Sequence, residues 1–105
     1  MNLRHRVTIQ HKTVTRDADG IAAETWQDVT TVWAAVEPLR GREYLQAMAV
    51  AVEVTTRVRV RYLPGVTPAM RLLFGSRIFS IVSVIDPEER HRELQLMCVE
   101  VMRIG

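Results

Sequence analysis

Between Val52 and Tyr62 eleven consecutive residues alternate without a break. Val52, Val54, Thr56, Val58, Val60 and Tyr62 share one parity, and Glu53, Thr55, Arg57, Arg59 and Arg61 share the other. A period of two places successive side chains on opposite faces of an extended chain, so this run predicts a strand with one buried and one wet face. Such a strand leaves edges and apolar area that a monomer must protect, and closing interfaces with other copies of the chain would cover them. Its wet face carries three arginines spaced about 7 Å apart, two residues of strand rise each.

The flanking sequence supplies the other strands. Arg6 to Lys12 alternates, with Val7 and Ile9 on one side and Thr8 and Gln10 on the other. Asp17-Ala18-Asp19-Gly20 between two β-type runs reads as a hairpin loop. It lacks the further ligands that a calcium loop needs. Glu24 to Val29 and Thr31 to Val36 are rich in β-branched and aromatic residues, which predicts one long strand or two strands separated by a bulge. Trp26 and Trp33 are expected to anchor the core, because aromatic residues are few in this chain and Trp buries a large area. Pro38 ends the strand. Gly41 to about Ala49 has helical spacing, with Tyr44, Leu45 and Met48 on one face, but is too short to be stable alone. Leu63 to Pro68 is a turn. Met70 to Phe74 and Arg77 to Ile85 are strands around a Gly75-Ser76 hairpin. Asp86 to Arg90 is a charged loop, and Glu93 to Ile104 is the final strand. The expected fold is therefore all-β: about six antiparallel strands in a small barrel or sandwich, with a short helix or loop insertion near 40–50. At 105 residues the chain is expected to form one domain, 1–105.

Composition narrows the possible chemistry. The chain is 48% hydrophobic and 25% charged, with a formal net charge of +2, too small by itself to indicate a nucleic-acid-binding protein. Its one cysteine, Cys98, cannot form an intramolecular disulfide and lies in an apolar run, where a free thiol behaves as a small buried hydrophobe. No signal segment and no transmembrane run is expected. There is no glycine-rich phosphate loop, no G-x-S-x-G, no H-E-x-x-H and no CxxC, and His5, His11 and His91 lack metal-ligand spacing. No catalytic residue, metal or cofactor is expected. The run containing Glu88, Glu89, Arg90, Arg92 and Glu93 reads as a solvated, partly self-neutralising surface. The arginine face has two readings. Arg57, Arg59 and Arg61 either pair with acids on a neighbouring strand or meet the acids or phosphates of a partner. A nucleic-acid-binding barrel is the alternative function, although no aromatic residue alternates with the arginines.

Read in order, the segments resemble the phage head–tail joining family, the head–tail adaptors and head-closure or stopper proteins of tailed phages. The residues that carry the likeness start with Leu3-Arg4-His5-Arg6-Val7-Thr8-Ile9-Gln10, then Asp17-x-x-Gly20 ahead of Trp26. They continue with Val32-Trp33-Ala34-x-Val36-Glu37-Pro38-Leu39-x-Gly41-x-Glu43-Tyr44, Arg61-Tyr62 and Gly65-x-Thr67-Pro68-x-Met70-Arg71. The last block is Ile85-Asp86-Pro87-x-Glu89-Arg90-x-Arg92-Glu93-Leu94. The resemblance implies a virion subunit, made in the bacterial host cytoplasm, that joins the portal to the tail in a six- or twelve-fold ring. It further implies closure of the head channel and non-specific contact with the packaged double-stranded DNA. The segment implied to reach the channel contains Arg40, Gly41, Arg42, Glu43, Tyr44 and Gln46. The apolar run from Gln46 to Ala51 also suits packing against a neighbouring subunit. Candidate partner or subunit contacts are Arg57, Arg59, Arg61, Asp86, Glu88, Glu89, Arg90 and Arg92.

Overall fold

The computed structural model describes residues 3–39 and 54–101. Within them the chain forms strands β1 (His5–Arg16), β2 (Ala22–Pro38), β3 (Thr56–Arg61), β4 (Arg71–Phe74), β5 (Arg77–Ile85) and β6 (Glu93–Val101). One 3-10 turn, Pro87–Glu89, lies between β5 and β6. All pairings are antiparallel, and the order β1-β2-β3-β6-β5-β4 closes through β1 and β4 into a barrel. Of the two expected architectures, barrel or sandwich, the chain adopts the barrel. The expected helix or insertion near 40–50 and the last residues of the expected final strand lie outside the described residues.

Local sequence sets the two tight connections. At the β1–β2 tip, the Asp17 carboxylate oxygen Oδ1 accepts the backbone N–H groups of Asp19 and Ile21, each at 2.9 Å. This Asx-type turn delivers Gly20 at φ +78°, a conformation that costs glycine little. At the β4–β5 tip Phe74 faces Arg77 across a two-residue loop, and Gly75 has φ +60°. A positive φ at the first loop position alone is the type II′ arrangement, whose twist matches that of the flanking strands.

The core is the barrel interior. Val7 and Ile9 of β1, Ala34 of β2, Val58 and Val60 of β3, Leu72 of β4, Phe79 and Ile81 of β5, and Leu94, Leu96 and Cys98 of β6 form one buried cluster. The long alternating run behaves as expected in its centre, with Val54, Thr56, Val58 and Val60 all buried. Its regular strand is shorter than the run, however, and comprises six residues. Tyr62 lies past the strand end and is exposed.

The tryptophans depart from expectation, and a bulge explains why. Ile9 pairs with Thr30 and Gln10 with Asp28, so Val29 is an extra residue on β2. Trp26 and Trp33 are seven residues apart and would face opposite sides of a regular strand. The extra residue reverses the parity between them. Both then face outward, opposite Lys12 and Arg6 respectively. Trp33 is 53% exposed, and among the described residues Phe79 is the fully buried aromatic side chain of the core cluster. A second register shift, at Val82 of β5, turns Val84 toward the core and leaves Ile85 exposed.

Beyond this seam the first hairpin leaves the barrel. β4 pairs with β1 at Thr8–Gln10, and β3 pairs with β2 at Ala34–Pro38. Residues 11–16 and 22–27 therefore form a ribbon with no third strand among the described residues. This arm lengthens the molecule to 50 × 26 × 26 Å.

Candidate partner-binding surface

The arginine strand divides into two environments. Glu37 of β2 lies directly across from Arg57 of β3, and its carboxylate bridges two arginines. Oε1 accepts from Arg57 Nε at 3.0 Å, and Oε2 accepts from the terminal guanidinium nitrogen Nη2 of Arg59, also at 3.0 Å. All three side chains are half-buried. The reading in which the arginines pair with an acid on a neighbouring strand therefore describes Arg57 and Arg59. Arg59 Nε is buried without a hydrogen-bond partner, so the pairing is incomplete on that side.

Arg61 belongs to a different site. It is exposed and sits opposite Glu93 at the start of β6. The backbone N–H of Tyr62 donates to the carbonyl of Arg92 at 3.1 Å, which ties the end of β3 to the end of the charged loop. Here β2 runs on toward the arm while β3 turns away, and the divergence opens a groove. It is lined by Leu3, Thr31, Val32, Trp33, Tyr62 and Leu63 together with the exposed Arg61 and Arg92. Arg6 adds a third cation, its guanidinium carbon 5.4 Å from the centre of the Trp33 ring. The groove is thus mainly apolar, with two exposed aromatic residues and the two arginines Arg61 and Arg92 in its lining. Neither Arg61 nor Arg92 forms an ion pair among the described residues.

The charged loop is built around Asp86. Its carboxylate Oδ1 accepts the backbone N–H of His91 at 3.1 Å, while Oδ2 contacts His91 Nδ1. Those contacts accompany left-handed backbone at Glu88, Glu89 and His91, with φ of 56°, 55° and 56°. Non-glycine residues take this conformation at a cost, so the loop shape is imposed by its hydrogen bonds. The imidazole of His91 lies 4.5 Å, centre to centre, from the Tyr62 ring, and Arg90 pairs with Glu88 at 2.8 Å. Of the candidate contacts, Arg61 and Arg92 meet at the groove. Asp86 and His91 shape the loop beside it, and Glu88 and Arg90 pair with each other. Arg57 and Arg59 lie farther along the barrel wall at Glu37. Arg40, Gly41, Arg42, Glu43, Tyr44 and Gln46 lie outside the described residues.

Sequence reasoning missed Glu37 as the shared acceptor and missed Trp33, Tyr62 and Arg6 as parts of one surface. The signal for Trp33 was present, since it stands at the parity opposite Val32 and Ala34. A cluster of another kind closes the barrel seam. Gln10 donates through Nε2 to Asp28 Oδ1 at 2.6 Å and accepts from Arg71 Nε at 2.8 Å. The Arg71 guanidinium carbon lies 4.2 Å from the centre of a Trp26 ring. This links β1, β2 and β4 from the outside, so Trp26 serves the seam.

Among curated proteins no sequence matches the chain. Solved structures do. Protein SF1141 from Shigella flexneri 2a, determined in solution, superposes with a TM-score of 0.78 at 27% identity, covering 97% of this chain and 96% of that one. A chain from the virion of a native gene transfer agent particle shares the fold, with a TM-score of 0.65 at 22% identity and coverage of 98% and 99%. The sequence model of the phage head completion protein family matches residues 1–101. Nearly the whole chain, including every described strand, falls inside that match. The chain belongs to the phage head completion protein family and is a structural component of the phage virion.

Proposed function

We propose that this protein joins the phage head to the tail, closes the head channel beneath the portal and helps retain the packaged DNA. The observation that carries the reading is the family match over residues 1–101, taken with the ordered sequence blocks that resemble head–tail joining proteins. A closed barrel suits the role, because closure removes strand edges within the barrel that would otherwise recruit chains indiscriminately, and leaves unpaired strand in the arm. Specific contacts are left to the groove, the charged loop and the arm. On this reading the chain self-associates in a six- or twelve-fold ring and touches portal or adaptor and tail proteins. The segment containing Arg40, Gly41, Arg42, Glu43, Tyr44 and Gln46 faces double-stranded DNA without sequence preference. Arg57, Arg59, Arg61, Asp86, Glu88, Glu89, Arg90 and Arg92 lie on subunit or partner interfaces. The role is mechanical, and no residue is assigned to catalysis.

The test is electron microscopy of particles from an induced phage lacking this gene. Free tails beside heads that have lost their DNA are the expected result. Normal joined particles would overturn the proposal. The nucleic-acid-binding alternative rested on the arginine face, and two of its three arginines are held by Glu37.

A further inference from the structure

The arm and the groove have complementary chemistry. The arm tip carries Asp17 and Asp19, and Ile21 beside them is 64% exposed. An isoleucine that open on a hairpin tip contributes nothing to the core and leaves its apolar surface in water. The groove offers the counterpart: an apolar lining at Val32, Leu63 and Trp33, and Arg61 and Arg92 without acidic partners among the described residues. The two surfaces cannot meet within one chain. Thr31 in the groove and Ala22 at the tip end of β2 are separated by nine residues of strand, roughly 30 Å.

We propose that the arm tip of one copy, Asp17 to Ile21, seats in the Trp33–Arg61–Arg92 groove of a second copy. Ile21 packs on the apolar lining, and Asp19, whose side chain makes no hydrogen bond or ion pair among the described residues, meets the two arginines. The Asp17 carboxylate holds the turn, which presents Asp19 and Ile21 in a fixed shape and lowers the entropic cost of docking. Because tip and groove are different surfaces, the contact is head-to-tail. Repeated from copy to copy, it either closes into a ring or runs on as a filament. This inference rests on the self-association in the proposed function and adds the surfaces that form it.

Position-specific crosslinking in assembled particles tests it. The one native cysteine, Cys98, is buried, so introduced thiols report without interference. A phage carrying Ala18→Cys together with Thr31→Cys cannot form the bond within one chain at this separation. On mild oxidation the double variant should give a ladder of covalent oligomers beyond the dimer, whereas each single variant should give none beyond the dimer. Averaged electron microscopy of the same particles separates the two levels of the argument. A ring of copies without a ladder overturns arm-in-groove docking and leaves self-association standing. Neither ring nor ladder removes both. A crosslink to a different virion protein also overturns the proposal by identifying another occupant. Should the cysteine variant not assemble, a charge swap decides. Asp19→Arg and Arg92→Asp should each lower the yield of joined particles at least tenfold, and their combination should restore it. A combination no better than the single variants overturns the proposal.

Discussion

At the residue scale, Glu37 and Cys98 show how burial sets the consequences of a side chain. Glu37 is the shared acceptor for two half-buried arginines, so its removal takes an acceptor from each. Glu37→Ala should destabilise the protein by about 1–2 kcal/mol, the usual result of stripping a partner from partly buried charges. Urea denaturation measures this directly, and an unchanged midpoint would mean that water replaces the carboxylate freely. Cys98 is fully buried, its thiol donates to the Leu96 carbonyl at 3.3 Å, and burial pushes its pKa from 9.0 up to about 12. Between those values the folded protein keeps the proton while the unfolded chain sheds it, so stability falls as pH rises through that window. From pH 8 to pH 10 the wild type should lose about 1.4 kcal/mol more than Cys98→Ala, as read from denaturation curves at the two pH values. The buried character of Cys98 was legible from its apolar neighbours. Glu37 was not, because antiparallel partners twenty residues apart in sequence are set by register.

At the element scale, the first hairpin serves two purposes along its length. Below the bulge, Val7, Ile9 and Ala34 belong to the core. Among the described residues no buried side chain lies between His11 and Trp33. An isolated two-stranded ribbon is marginal in water, so the arm draws its order from the barrel and returns little stability to it. Replacing Thr13–Thr25 by Asn-Gly, so that Lys12 and Trp26 remain paired across a tight turn, should shift the unfolding temperature by no more than a few degrees. A loss of more than about 10 °C in calorimetry would show that the arm stabilises the barrel itself. The hairpin loop at Asp17–Gly20 was evident from composition. The arm was not, because its threonines and valine alternate much as core strands do. Only the absence of a third strand beside it among the described residues makes it an arm.

At the scale of the whole molecule, closure is the decisive feature. The seam joins β1 to β4 over the short stretch Thr8–Gln10, reinforced outside by Gln10, Asp28, Arg71 and Trp26. Among the described residues Phe79 is the largest fully buried side chain and the one aromatic member of the buried cluster. Phe79→Ala should therefore cost about 3–5 kcal/mol, a large share of the roughly 5–15 kcal/mol that holds a domain of this kind together. Far- and near-ultraviolet circular dichroism should lose signal in one coincident thermal transition. Separate transitions would mean that part of the barrel is stable without the rest.

Residue type and spacing alone were enough to say which segments extend, where most of them turn, which parity of the central strand is buried, and that the chain is all-β. Those properties follow from residue type and spacing over a few positions. The ordered blocks also carried the likeness to head–tail joining proteins. Tertiary structure alone decided which strands are neighbours, that the sheet closes, and which arginines find an acid. It also decided that both tryptophans face outward. The physical reason is parity: one inserted residue at Val29 reverses every facing beyond it, and the ladder contacts with β1 that place the bulge come from elsewhere in the chain. The groove has the same origin, since Trp33 within β2, Arg61 at the end of β3 and Arg92 just before β6 come together only when those three strands pair.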